Sequence, residues 1–142
     1  MKVKVKVPAT SANLGPGFDV AGLALTLYNT FTFELADQGL NITGCPEQFC
    51  NEENMTYQAF KQAAEICGLE YQGVNIECSG DVPYTRGLGS SSTCIVAGIV
   101  GAFAFKDKVE DRQEILELAT AIEGHPDNVA PAIFGGLTVS VM

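Results

Sequence analysis

The chain opens on a two-residue alternation. From Lys2 to Val7 lysine and valine take turns, the spacing that sets valines on one face of a strand and lysines on the other. Pro8 has no N–H to give a sheet and is expected to end that strand. Alternation returns from Leu25 to Leu35, with Leu25, Leu27, Phe31, Phe33 and Leu35 on one face and Thr26, Tyr28, Thr30, Thr32 and Glu34 on the other. Asp37-Gln38-Gly39 reads as a turn into a short strand at Leu40 to Thr43, and the two strands together read as a hairpin. Residues 44–53 show no period and are expected to be surface loop.

Helical spacing follows. Asn54 can cap a helix with apolar positions Tyr57, Phe60, Ala64 and Cys67, and Gly68 is placed to end it. Val74, Ile76 and Cys78 alternate with Asn75, Glu77 and Ser79, which predicts a further strand. The run from Cys94 to Phe103 is uncharged and continuously apolar, the pattern of an enclosed helix. Asp111 with Glu114 three residues on starts another helix, whose apolar face is Ile115, Leu118, Ala119 and Ile122; Gly124 and Pro126 stop it. After Val129 to Phe134 and a Gly135-Gly136 break, a strand is expected at Leu137 to Val141. This order predicts an α+β domain, a mixed sheet with helices on one side.

Composition narrows the partners. With 142 residues the chain is expected to form one folding unit, residues 1–142. A net charge of −9 argues against nucleic acid and against an anionic membrane surface, both of which attract basic faces. The first residues lack the apolar core of a secretion signal, no stretch reads as a membrane span, and the five cysteines are odd in number with no CxxC pair. A cytoplasmic protein is expected. Cys67, Cys78 and Cys94 fall within apolar patterns, whereas Cys45 and Cys50 read as two loop thiols. The chain ends within an apparent strand, Val139-Ser140-Val141-Met142, which suggests a piece of a longer protein. An open sheet edge there would favour pairing with a second copy, so a homodimer is allowed for.

Three polar, glycine-punctuated stretches carry the candidate chemistry. The central one, Arg86-Gly87-Leu88-Gly89-Ser90-Ser91-Ser92-Thr93, directly precedes the apolar helix. Glycines there let backbone amides curl round an anion, and a helix start adds its positive dipole end. This is a phosphate cradle without the Gly-Lys-Ser/Thr of the common P-loop, so Arg86, a metal or another segment must balance charge. The second stretch runs from Ser11 to Asp19 and includes Asn13; the third is Glu123-Gly124-His125-Pro126-Asp127-Asn128. Each has a plainer reading too: a flexible connector, an Asx turn, and a helix stop. Together they supply what phosphoryl transfer needs, namely phosphate donors, a hydroxyl and carboxylate for Mg²⁺, and polar groups for the accepting alcohol.

In that order and at that length, the stretches from Val7 to Asp19, Arg86 to Ser92 and Glu123 to Pro131 resemble the motifs of the homoserine kinase family. That family is grouped with galactokinase, mevalonate kinase and phosphomevalonate kinase. The resemblance implies a ribosomal-protein-S5-like α/β half with a left-handed crossover, and ATP-dependent phosphorylation of the side-chain hydroxyl of L-homoserine in threonine biosynthesis. It implies that Arg86, Gly87, Leu88, Gly89, Ser90, Ser91, Ser92 and Thr93 bind ATP, and that Asn13, Asp19 and His125 contact homoserine. Ser91 would be the Mg²⁺ hydroxyl and Glu117 the metal carboxylate, with Glu114 and Glu123 as alternatives. Asn128 stands where mevalonate kinases have an aspartate base and cannot accept a proton at neutral pH. Asp19 would then orient the hydroxyl, a base role for it being the lesser alternative. A C-terminal domain, absent from this chain, would complete the site. A sister kinase acting on mevalonate or a sugar, or a non-catalytic unit needing its other half, are the rival readings.

Overall fold

The computed structural model describes residues 1–12, 22–80, 90–124, 126 and 128–142. Within them the order is β1 (Lys2–Ala12), β2 (Gly22–Ala36), β3 (Gly39–Thr43), α1 (Met55–Cys67), β4 (Gly73–Gly80), α2 (Ser90–Phe105), α3 (Arg112–Glu123), α4 (Val129–Phe134) and β5 (Thr138–Val141). The strands form one mixed sheet in the order β3-β4-β2-β1-β5, antiparallel except for the parallel β3–β4 pair.

The alternation sorts the two faces as expected. Val3, Val5 and Val7 are fully buried while Lys2, Lys4 and Lys6 are exposed, and Phe31, Phe33, Val74 and Ile76 continue the buried face across β2 and β4. The helices cover that face. Helix α2 lies between α1 and the sheet strands β1 and β2, with Ile95, Val96, Ile99, Val100 and Phe103 all buried, which is why it needs no polar stripe. Phe33 of β2 and Phe60 of α1 stack at 5.5 Å between ring centroids, a contact worth about 1 kcal/mol beyond its buried area.

Both capped helices start where expected. The Asn54 side chain accepts from the Tyr57 amide at 3.1 Å, and that of Asp111 from the Glu114 amide at 3.0 Å. Gly68 and Gly124 end α1 and α3 in the left-handed conformation.

Two expectations are corrected. Pro8 does not end β1, which runs on to Ala12 with a shift of register between Pro8 and Thr10. β5 pairs only with Val3 to Lys6, so Pro8 lies where β1 has a bulge and one open side, a place that tolerates a missing N–H. β2 and β3 are not a hairpin: β4 lies between them, paired antiparallel to β2 and parallel to β3. The 37–39 turn instead carries the chain across the start of β4. A Cβ on Gly73 would lie 2.4 Å from the Gln38 carbonyl carbon, so only glycine admits that crossing. Residues 44–53 are the expected surface loop, mostly exposed, and include a short 3₁₀ turn at Glu47–Phe49.

Candidate active site

The first two glycine-punctuated stretches and part of the third meet the described structure at their edges. β1 and β2 are paired to the end, Ala12 opposite Gly22; β4 closes at Gly80 opposite Asn29; α2 starts at Ser90; and α3 ends at Glu123 shortly before α4. Of the predicted site residues, Asn13, Asp19, Arg86, Gly87, Leu88, Gly89 and His125 lie outside the described residues. Ser90 is the first residue of α2.

Side-chain bonds tie these ends together. Thr10, wholly buried near the end of β1, donates its hydroxyl to Asn128 Oδ1 at 2.8 Å. Asn128 stands at the N-cap position of α4 without capping it, so its side chain is given over to Thr10. With the oxygen engaged, the amide NH₂ is turned to the other side as a donor. From α2, the Ser91 hydroxyl donates to Glu123 Oε1 at 3.3 Å, linking the cradle's helix to the end of α3. Thr93 is also buried, and its hydroxyl accepts from Asn29 Nδ2 at 3.0 Å, which fastens the same turn of α2 to β2. Ser92 Oγ is buried and has no hydrogen-bond partner among the described residues.

The three glutamates of α3 are not equivalent. Glu123 is half-buried and in contact with Ser91, whereas Glu117 is exposed on the same helix. Glu114 is held at the other end of α3 by the Asp111 cap; its hydrogen bond to Asp111 is the main reason its carboxyl is pushed above the usual range. No group of three or more His, Cys, Asp or Glu side chains among the described residues is arranged to enclose a metal ion. A hydroxyl and one carboxylate are what remains near the α2 start, the sparse protein donor set Mg²⁺ uses when phosphate and water complete its shell.

Beside this junction lies a cavity of about 390 Å³, between the ends of β2 and β4, the 44–55 segment and the starts of α1 and α2. Ser91 and Asn29 lie on its polar side; Phe31, Phe49 and Met55 supply apolar wall. Cys45, Cys78 and Cys94 line it as well, and burial pushes the Cys78 thiol up to about 12 and that of Cys45 to about 11. The volume falls in the range of small-molecule sites.

Comparison with known proteins gives the family. Residues 54–136 match the GHMP kinases N terminal domain, more than half of the chain. The chain belongs to the GHMP kinases. Among curated relatives, a homoserine kinase of Clostridium beijerinckii is 54% identical over 140 residues, covering 98% of this chain and 47% of that protein. One from Clostridium botulinum is 51% identical over 141 residues, covering 99% and 47%. The chain thus spans about half the length of the curated relatives it matches. The crystal structure of homoserine kinase from Cytophaga hutchinsonii superposes with a TM-score of 0.79 at 31% identity, over 97% of this chain and 48% of that one. The mevalonate kinase of Methanococcus jannaschii gives 0.74 at 17% identity over 96% and 52%, which bears on the fold alone. The GHMP fold and the mixed sheet expected from the sequence therefore stand.

Two residues were not singled out from the sequence. Thr10 sits in a run of small residues and carries no motif of its own. Asn29 did leave a signal, since it is the one polar residue in the two-residue period of Leu25, Leu27, Phe31, Phe33 and Leu35.

Proposed function

We propose that this chain is the ATP- and substrate-binding half of a kinase that phosphorylates the side-chain hydroxyl of L-homoserine, a step of threonine biosynthesis. The observation that carries the reading is the double tie at one junction: Thr10 to Asn128, and Ser91 to Glu123. These bonds join the end of β1, the start of α2 and the stretch after α3, the three places where a phosphoryl donor, a metal and an alcohol have to meet. The named relatives at 46–54% identity favour homoserine over other acceptors. The rest of the enzyme lies in a C-terminal domain.

The cradle residues Arg86 to Thr93 hold ATP phosphates, with the N-terminal end of α2, whose own first turn carries no acidic residue, supplying dipole where the acidic chain has few cations. An oxyanion at this helix start would also satisfy the orphaned Ser92 hydroxyl, whose isolation costs about 1–3 kcal/mol. Mg²⁺, when bound, offsets charge on the triphosphate. Ser91 and Glu117 are its protein partners, and Glu123 takes the Ser91 proton in a hydrogen bond so that the serine oxygen keeps its lone pairs for a cation. Asn13, Asp19 and His125 hold homoserine. Asp19 aims the hydroxyl oxygen, and Asn128, fixed by Thr10, donates rather than accepts; the hydroxyl proton leaves to phosphate or solvent. The cytosol, which supplies ATP and keeps thiols reduced, is the setting.

The test is ADP release by the full-length protein with homoserine, mevalonate and galactose offered separately. Turnover with homoserine alone is expected. Turnover with either other alcohol and none with homoserine would replace the substrate assignment. Asp19→Asn should keep most of kcat, because an amide can still aim the hydroxyl; loss of most of kcat with little change in the KM for ATP would make Asp19 the base instead.

A further inference from the structure

Four of the five cysteines gather at the cavity. Cys45, Cys78 and Cys94 line it, and Cys50 is in contact with Cys45, sulfur to sulfur at 3.2 Å. The 3₁₀ turn sets this pair: the Phe49 and Cys50 amides donate to the Pro46 and Glu47 carbonyls at 2.8 and 3.0 Å, folding Cys50 back over Cys45. The turn is anchored on both sides. Asn54, the cap of α1, donates to the Phe49 carbonyl at 2.9 Å and lies 4.0 Å from Cys45 Sγ. Gly44 packs so closely on β4 that a Cβ there would lie 1.8 Å from the Cys78 carbonyl oxygen. A disulfide is about 2.05 Å long, so the two sulfurs need to approach by roughly 1.2 Å, within reach of side-chain rotation.

We propose that Cys45 and Cys50 are a thiol-modification site, a dithiol in the cavity wall that hydrogen peroxide converts to a reversible disulfide. The Cys50 thiolate attacks one peroxide oxygen, the O–O bond breaks, and Cys50 becomes a sulfenic acid with loss of hydroxide. The Cys45 sulfur then attacks the sulfenic sulfur, the S–O bond breaks, and water leaves with the Cys45 proton. The two thiols together give up two electrons, and one peroxide becomes two waters. Burial and the Cys50 contact hold the Cys45 thiol at about 11, so Cys45 is the resolving partner rather than the point of entry. Burial pushes the Cys78 and Cys94 thiols up as well, and the sulfur that stands against Cys50, at 3.2 Å, is that of Cys45. Because Cys45 and Phe49 both form cavity wall, the bond would lock that wall to the start of α1. The inference is independent of what occupies the cavity.

Trypsin separates the thiols cleanly, since no lysine or arginine lies between Lys6 and Lys61: the peptide 7–61 holds Cys45 and Cys50 only. Native full-length protein is treated with hydrogen peroxide, alkylated, digested and weighed. The expected result is loss of two hydrogens from peptide 7–61 with both its cysteines protected from alkylation, both restored by dithiothreitol, and no such protection of Cys78 or Cys94. In the Cys45→Ser protein, Cys50 should instead be trapped as sulfenic acid by dimedone. A peptide 7–61 that stays fully alkylatable while the other thiols oxidise, or that is found joined to the peptides of Cys78 or Cys94, overturns the proposal.

Discussion

Replacing Thr10 with valine keeps the shape of a wholly buried side chain and removes only its hydroxyl. The valine methyl loses nothing by burial, so the cost falls on Asn128, whose Oδ1 loses its donor at 2.8 Å. A neutral hydrogen bond contributes about 1 kcal/mol net, and a fully buried acceptor left alone costs up to about 3 kcal/mol. Asn128 is only half-buried and recovers part of its solvation, which places the expected loss near the lower figure, about 1 kcal/mol. For a chain of this size that is a fall in Tm of roughly 2–4 °C. The informative experiment is a double-mutant cycle with Asn128→Ala, read by urea unfolding. A direct bond predicts a coupling of about 1 kcal/mol, since the second substitution finds nothing left to break. In the full-length enzyme the same change frees the Asn128 amide, and kcat should fall about fivefold, the kinetic equivalent of about 1 kcal/mol. Substitutions that simply add, with coupling under about 0.3 kcal/mol, would show that the two side chains act independently and would refute the account of how Asn128 is held.

Gly98→Ala should destabilise although alanine is the better helix former by about 1 kcal/mol. Its Cβ would lie 2.3 Å from the Thr56 carbonyl oxygen and 2.8 Å from the Phe60 amide nitrogen, both backbone, so α1 must move away from α2 at about 1–3 kcal/mol, and a raised Tm would disprove the close approach. Stability should fall in alkali: the folded state holds Cys78 up to about 12 and Cys45 to about 11 against an ordinary 9.0. Thiols raised on folding contribute stability that is intact below pH 9 and is lost as pH climbs toward 11–12; the urea midpoint should drop between pH 8.5 and 10.5, and less so in Cys78→Ala. In the full-length enzyme, Glu117→Gln should raise the Mg²⁺ concentration needed for half-maximal rate more than Glu123→Gln does; the reverse order would exchange their roles.

What was legible in the sequence was whatever one residue and its near neighbours decide. The Lys-Val alternation, the Asn54 and Asp111 caps and the left-handed glycines at 68 and 124 are local devices, and each sits where its spacing put it. Strand order is not local. Nothing in Leu40 to Thr43 says whether the partner will be β2, a few residues back, or β4, some thirty residues on; a parallel partner needs a crossover, which α1 supplies, and a glycine at 73 lets the turn cross. Pro8 misled for a related reason, since the cost of its missing N–H depends on how far β5 extends along β1. Within the candidate site, the motifs identified their segments, while the bonds that hold those segments, from Thr10, Asn29 and Glu123, join residues 118, 64 and 32 positions apart.

The two helix glutamates show how geometry and spacing divide the work. Glu117 and Glu123 are six residues apart, about 9 Å along α3 and roughly 240° around it. They therefore cannot take the same place, and in this structure it is Glu123 that bonds the Ser91 hydroxyl. A carboxylate that accepts the Ser91 proton is committed to orienting that hydroxyl. It also occupies the last turn of α3, where the helix dipole already makes negative charge unfavourable and a cation welcome. Glu117, in the middle of the helix and exposed, carries neither constraint and is free to meet a hydrated ion. In the division proposed above, one glutamate orients the serine and the other meets the metal.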